Sequence, residues 1–178
     1  MVRCFIAIEI PGECRQELIS AQEKLKKAPG LRANFVEGGN FHLTLRFLGE
    51  LSESQIRKIK EIASKIKLRR FKAHFGKVGV FPSASFVRVI WMSLEPSEEA
   101  KRLARRINDY LGTIDEKFKS HVTLARVKEV INQRALEKAL ESIHVPEKEF
   151  EIKEFKLKKS TLTPKGPVYE DICTFPLG

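Results

Sequence analysis

Residues 40–50 read NFHLTLRFLGE, and residues 120–129 read SHVTLARVKE. The chain has only four histidines, yet two of them, His42 and His121, occupy the same His-x-Thr-Leu frame 79 positions apart, 42 to 121. Around His42, apolar and polar residues alternate: Leu43, Leu45 and Phe47 fall on one side, His42, Thr44 and Arg46 on the other. Successive side chains of a strand point to opposite faces, so this stretch reads as a β-strand with one apolar and one polar face. A second copy of the strand raises the expectation that its surroundings are repeated too.

They are. VRCFIAIEI (2–10), stopped by Pro11-Gly12, predicts a buried strand. ECRQELISAQEKLKKA (13–28) predicts a helix with Leu18, Ala21 and Leu25 on one face, ended by Pro29-Gly30. After the His42 strand, SESQIRKIKEIASKIK (52–67) begins with Ser52 three residues before Gln55, a capping-box pattern, and carries Ile56, Ile59, Ile62 and Ile66 along one helical face. RFKAHFGKVGVF (70–81) predicts another strand. From Phe86 the order restarts with a strand (86–94), a helix (97–111), the His121 strand, a helix (132–143) with Leu136, Ala139, Leu140 and Ile143 on one face, and a strand (149–159). Phe71 follows His42, and Phe150 follows His121, by the same 29 positions; Val2-Arg3 and Val87-Arg88 sit near the start of corresponding strands. The expectation is one bilobal, pseudo-twofold α+β domain over residues 1–178, with repeat halves 1–82 and 83–178. Each half is one strand-helix-strand-helix-strand lobe, and a terminal strand lies near 167–175. Antiparallel sheets with helices outside would frame a central cleft.

Composition narrows the function classes. An apolar content of 42% supports a buried core. No stretch approaches the roughly 20 apolar residues of a membrane helix, and MVRCFIAIEIPGE meets Pro11, Gly12 and Glu13 too early for a signal-peptide core, so a cytoplasmic protein is expected. Cys4, Cys14 and Cys173 are scattered, which argues against a disulfide framework and a cysteine zinc site. Lys plus Arg number 33 against 23 Asp plus Glu, a net charge of +10, locally dense at KIKLRRFK (65–72) and FKLKKS (155–160). That balance favours a polyanionic partner, or else a highly solvated surface of the kind found in proteins from hot environments.

A pseudo-twofold axis would bring the two polar strand faces together. His and Thr two positions apart project from one side of a strand about 6–7 Å apart, so two copies gather two imidazoles and two hydroxyls around one cleft. Such a ring suits a phosphate. One imidazole takes a proton from the attacking oxygen, the other gives one to the leaving oxygen, and the threonine hydroxyls donate to non-bridging oxygens. Neither motif carries an acidic or cysteine ligand on its polar face, and neither a His-Glu-x-x-His helix, a nucleophile elbow nor a phosphate-cradling glycine loop is present, so no metal and no cofactor are expected. His74 and His144, outside the repeated frame, read as structural residues. The near symmetry leaves open which histidine is the acid.

With these flanks the sequence resembles the 2H phosphoesterase superfamily, specifically the archaeal and bacterial RNA 2′,3′-cyclic phosphodiesterases first described as 2′-5′ RNA ligases. RCFIAIEIP resembles the family's opening strand, FHLTLRFLGE its first motif, VRVIWMSLE its mid-chain strand, SHVTLARVK its second motif and STLTPKGPVYE its C-terminal segment. The resemblance implies hydrolysis of RNA 2′,3′-cyclic phosphate ends to 2′-phosphates at a metal-free site in the cleft. His42 would be the proton donor, His121 the proton acceptor, and Thr44 and Thr123 would hold the phosphate. It also implies a substrate contact for Arg126, because the family often carries a basic residue after the second motif, although strand alternation gives Arg126 the opposite parity from His121. Arg46 has the parity of His42 but lies about 13 Å along an ideal strand. Phe5, Phe47 and Trp91 are core or base-stacking residues. The expected partner is RNA with a 2′,3′-cyclic phosphate terminus, tRNA fragments among the candidates, with no membrane, and the protein itself is expected to be a monomer. Two alternatives stand beside hydrolysis: ATP-independent 2′-5′ RNA ligation, the reverse chemistry, and a non-catalytic module that binds a nucleotide or RNA end.

Overall fold

The computed structural model describes residues 1–112, 118–146, 148–164 and 166–178. In chain order its elements are β1 (Val2–Glu9), α1 (Arg15–Lys26), β2 (Leu31–Phe35), β3 (His42–Leu51), α2 (Glu53–Ser64), β4 (Phe71–Ser83), β5 (Phe86–Glu95), α3 (Ser97–Tyr110), β6 (His121–Val130), α4 (Gln133–Glu141), β7 (Phe150–Ile152), β8 (Glu154–Thr163) and β9 (Gly166–Pro176). The strands form two sheets, β3-β1-β8-β9 and β2-β6-β5-β4-β7, antiparallel throughout. The α+β class read from the sequence is the one the chain adopts. The triplet β3-β1-β8 of one sheet corresponds to β6-β5-β4 of the other, and this correspondence is the pseudo-twofold.

The lobes are not the sequence halves. The third strand of each half joins the sheet of the other: β4 pairs with β5, and β8 with β1. Chain connectivity explains the exchange on one side, because only Ala84 and Ser85 separate β4 from β5, and so short a link folds the two into an antiparallel hairpin. The single strand expected over 149–159 divides at Lys153. Its first part, β7, pairs with the start of β4, and its second, β8, pairs with β1. The strand β2 is absent from the sequence expectation, although LRANF alternates apolar and polar residues; it is only five residues long and lies at the sheet edge beside β6. The registers set Ala7 opposite Thr44 and Trp91 opposite Thr123, so Ala7 matches Trp91 and Arg3 matches Val87, one residue off the sequence match of Val2-Arg3 with Val87-Arg88.

Helical faces pack as their periodicity indicates. Leu18, Ala21 and Leu25 of α1 are buried, as are Ile59 and Ala63 of α2 with Ile66 beyond its end, while Ile56 and Ile62 are half-buried. The capping box of α2 is formed: Gln55 N donates to Ser52 Oγ and Ser52 N donates to the Gln55 side chain. Such a cap stabilises a helix start by about 1 kcal/mol. In the sheets, Ile6, Ile8, Leu43 and Leu45 of one lobe and Ile90, Met92, Leu94, Val122 and Leu124 of the other are buried, each contributing about 1.5–3 kcal/mol by leaving water. Cys4 and Cys14 are free thiols in this core, and Cys173 is half-buried and free. Among the described residues, no helix is long and apolar enough to cross a membrane. With one face of each sheet committed to the core, the polar side chains of β3 and β6 are left for the opposite face.

Candidate active site

His42 and His121 are the first residues of β3 and β6, and these strands approach with Cα atoms within 8 Å. The two imidazoles are anchored alike. Nδ1 of His42 lies 2.7 Å from the carbonyl oxygen of Asn40, and Nδ1 of His121 lies 2.7 Å from that of Lys119. A carbonyl only accepts, which assigns a hydrogen to each Nδ1 and leaves each Nε2 with its lone pair when the ring is neutral. Thr44 and Thr123 are half-buried and follow on the same faces.

Both strands bulge at the same place. β1 pairs Ile6 with Arg46 and Ala7 with Thr44, skipping Leu45; β5 pairs Ile90 with Ala125 and Trp91 with Thr123, skipping Leu124. An extra residue reverses the alternation beyond it. On β6, Leu124 and Ala125 are therefore both buried, and Arg126 emerges on the face of His121 and Thr123. The parity objection to Arg126 rested on a regular strand, and the bulge removes it. On β3 the same bulge gives the equivalent place to Phe47, which is 71% exposed, and puts Arg46 at the position matching Ala125. One lobe thus offers a guanidinium where the other offers a phenyl ring. The Arg126 charge is felt at His42, at His121 and at Tyr169.

The surroundings of the two histidines differ. The His42 ring lies 5.0 Å from the buried Phe5 and 5.2 Å, edge-on, from Tyr169, with Phe5 and Tyr169 5.1 Å apart. Its cross-strand partner Glu9 is held by Arg15 at 2.9 Å, Lys156 at 2.9 Å and Lys158 at 3.0 Å. Both lysines also pair with Asp171, and the Lys158 side chain is almost wholly buried. A pocket of about 300 Å³ opens here among His42, Asn40, Tyr169, Lys158 and Asp171. The His121 ring instead meets Phe81 edge-on at 5.0 Å and Trp91 at 6.1 Å; Phe81 and Trp91 stack at 4.9 Å, and Lys119 Nζ lies 5.1 Å above the Phe81 ring. Gly79, opposite Trp91, makes this shelf possible, since any side chain there would run into the indole.

Burial disfavours the charged form of both imidazoles in the free protein. Burial lowers the His42 pKa to about 4, helped by the Lys158 and Arg126 charges and opposed by the Asn40 carbonyl and Glu9. Burial lowers His121 as well, with Arg126 and Lys119 adding to it and the Lys119 carbonyl opposing. Burial raises the Tyr169 phenol. His74 sits on β4 opposite Glu95, and His144 lies beyond α4. Among the described residues, no three His, Cys, Asp or Glu side chains gather as a metal site would need.

Sequence reasoning missed Tyr169, Phe81 and the Glu9–Lys156–Lys158–Asp171 cluster. Tyr169 had a faint signal, an aromatic among charged residues in the terminal strand. Its contact with His42 arises only because β8 and β9 join the sheet of β1 and β3.

The family model described as LigT-like phosphoesterase matches residues 8–91 and 93–169, and each stretch contains one of the two motifs. An RNA 2′,3′-cyclic phosphodiesterase of Archaeoglobus fulgidus is 34% identical over 178 residues, covering 98% of this chain and 99% of that protein. One of Aeropyrum pernix is 37% identical over 150 residues, covering 80% and 85%. Among solved structures, a Thermus thermophilus protein superposes with a TM-score of 0.79 at 30% identity, covering 98% of this chain and 97% of its own. Escherichia coli LigT complexed with 3′-AMP superposes with a TM-score of 0.76 at 25% identity, covering 99% and 98%. The chain belongs to the LigT-like phosphoesterase family, and it is an enzyme of that family.

Proposed function

We propose that the protein hydrolyses RNA 2′,3′-cyclic phosphate ends to 2′-phosphates, in the cytoplasm, by acid-base catalysis between two imidazoles and without a metal ion. The observation that carries this reading is the matched anchoring of His42 and His121, whose Nδ1 atoms bond backbone carbonyls at 2.7 Å, which leaves the Nε2 lone pairs of the neutral rings for proton transfer. A phosphate entering the cleft favours the imidazolium form of His42 by its negative charge. Water then attacks phosphorus and gives its proton to Nε2 of His121. The bond from phosphorus to O3′ breaks with its electron pair on O3′, which takes the proton from Nε2 of His42. The product carries phosphate on O2′ and a hydroxyl on O3′. Thr44 and Thr123 donate hydrogen bonds to the non-bridging oxygens, and Arg126 offsets the charge that grows there.

Further support comes from the relatives named RNA 2′,3′-cyclic phosphodiesterases and from the net charge of +10, which suits an RNA substrate. Glu9, the cross-strand partner of His42, is already engaged by three cations, which makes it a poor partner for a divalent metal. The test is turnover of an oligonucleotide ending in a 2′,3′-cyclic phosphate, with chelator present and the product end identified. A 2′-phosphate end formed at an unchanged rate is expected. A 3′-phosphate end, or activity lost to chelator and restored by zinc or manganese, overturns the mechanism. Adding a strand with a 5′-hydroxyl end to the same assay measures ligation, since that hydroxyl can take the place of water.

A further inference from the structure

The bulge that turns Arg126 toward the two histidines needs something to hold it. Leu124, the extra residue, has no cross-strand partner on β5, and its carbonyl is turned to the other side, toward the end of β2 and α1. Two donors take it: Val36 N at 3.0 Å, just beyond the end of β2, and Gln22 Nε2 at 2.8 Å, from the buried side of α1. The second hydrogen of the same Gln22 amide goes to the carbonyl of Val36, also at 2.8 Å. Gln22 is only 3% exposed and sits among the apolar residues Leu18, Ala21 and Leu25 of its helix. A buried amide among apolar neighbours, with both hydrogens spent on backbone at one irregular point, does what a leucine there would not. It fixes the bulge against reverting to regular pairing. Regular pairing would return Arg126 to the parity it has in an unbroken strand and turn its guanidinium away from the cleft.

We propose that Gln22 is a positioning residue for the phosphoesterase reaction, acting through the Leu124 bulge to aim Arg126 at the phosphate. The proposal rests on the role given to Arg126 above. It extends the active site's support to a helix that carries no reacting group, more than 100 residues from the bulge it holds (the two bonded residues are 102 apart in sequence).

The test is a double-mutant cycle on kcat/KM for a 2′,3′-cyclic mononucleotide, using Gln22→Met, which keeps the volume and removes the donor, and Arg126→Ala. Arg126→Ala is expected to lower kcat/KM roughly 100-fold, as loss of one charge-stabilising donor does. Gln22→Met should lower it about 10-fold in the native background and less than about twofold once Arg126 is gone. A purely structural Gln22 would cause the same loss in both backgrounds, and that result, or no loss in the native background, overturns the proposal. If Arg126→Ala retains the native rate, the role of Arg126 fails and the proposal falls with it. The NMR signal of the Arg126 Nε–H group gives a readout independent of turnover. It should move in Gln22→Met, and in the milder Gln22→Asn should Met prevent folding, while an unmoved signal in a folded variant refutes the coupling.

Discussion

Acidification should destabilise this protein through His42 in particular, and the size of the effect follows from its surroundings. The folded pKa is about 4, whereas an unfolded histidine titrates near 6.5. Because the folded pKa is the lower one, the unfolded chain binds more protons as the pH falls from 6.5 toward 4, so stability is full above 6.5 and is lost through that window. Two and a half units of difference correspond to about 2 kcal/mol lost at pH 5 and about 3 kcal/mol at pH 4 from this group. The perturbation that isolates it is His42→Gln. Urea unfolding of the native protein and the variant, measured from pH 7 to pH 4, should show the stability difference between them shifting by about 3 kcal/mol in favour of the variant at the acid end. Carboxylates that titrate in both proteins cancel in that difference. Parallel curves, within about 0.5 kcal/mol over the whole range, would mean that His42 is hydrated and ordinary, and the buried, cation-flanked environment assigned to it would be wrong.

His42→Ala and His121→Ala should each lower kcat by about 100-fold to 10,000-fold, with the double variant costing less in free energy than the two single losses together, while His74→Ala turns over at near-native rate; steady-state kinetics on folded variants checks all three. In the proposed mechanism Thr44→Val and Thr123→Val would each remove one hydrogen bond to a charged oxygen, about 1.5–3 kcal/mol, so kcat/KM should fall about 10-fold to 150-fold. Losses no larger than those of His74→Ala would take the threonines out of the site. Affinity for a longer RNA should fall steeply with salt and turnover of a cyclic mononucleotide much less, if the net charge of +10 serves to meet backbone phosphates beyond the cleft. Equal salt dependence for the two substrates would remove that surface from the account.

The repeated His-x-Thr-Leu frame made the pseudo-twofold and the polar strand faces legible, because period-two alternation and helical periodicity are local properties. What stayed hidden depended on pairing between distant segments. The two-residue link Ala84-Ser85 is the one local cue, and it joins β4 to β5; nothing local tells residues 149–159 to serve both sheets. Arg126 shows the limit most clearly: strict alternation turned it away from His121, and only the pairing of β5 with β6 reveals the skipped Leu124 that turns it back. Tyr169 and Lys158 flank His42 because β8 and β9 complete the sheet begun by β1 and β3, more than 100 residues earlier in sequence. Gln22 is a polar residue whose burial depends on the packing of α1 against β6 and the end of β2, the short edge strand absent from the sequence expectation.

The central claim is that His42 and His121 address one phosphate together. Histidine NMR titration with and without a nucleoside 2′-monophosphate, the product end, tests it most directly. Bound phosphate should raise the pKa of both rings, because a nearby negative charge in a partly buried site favours the imidazolium form, lifting His42 from its free value of about 4. Binding should leave the His74 and His144 signals in place. A rise confined to one of the two rings would contradict the account.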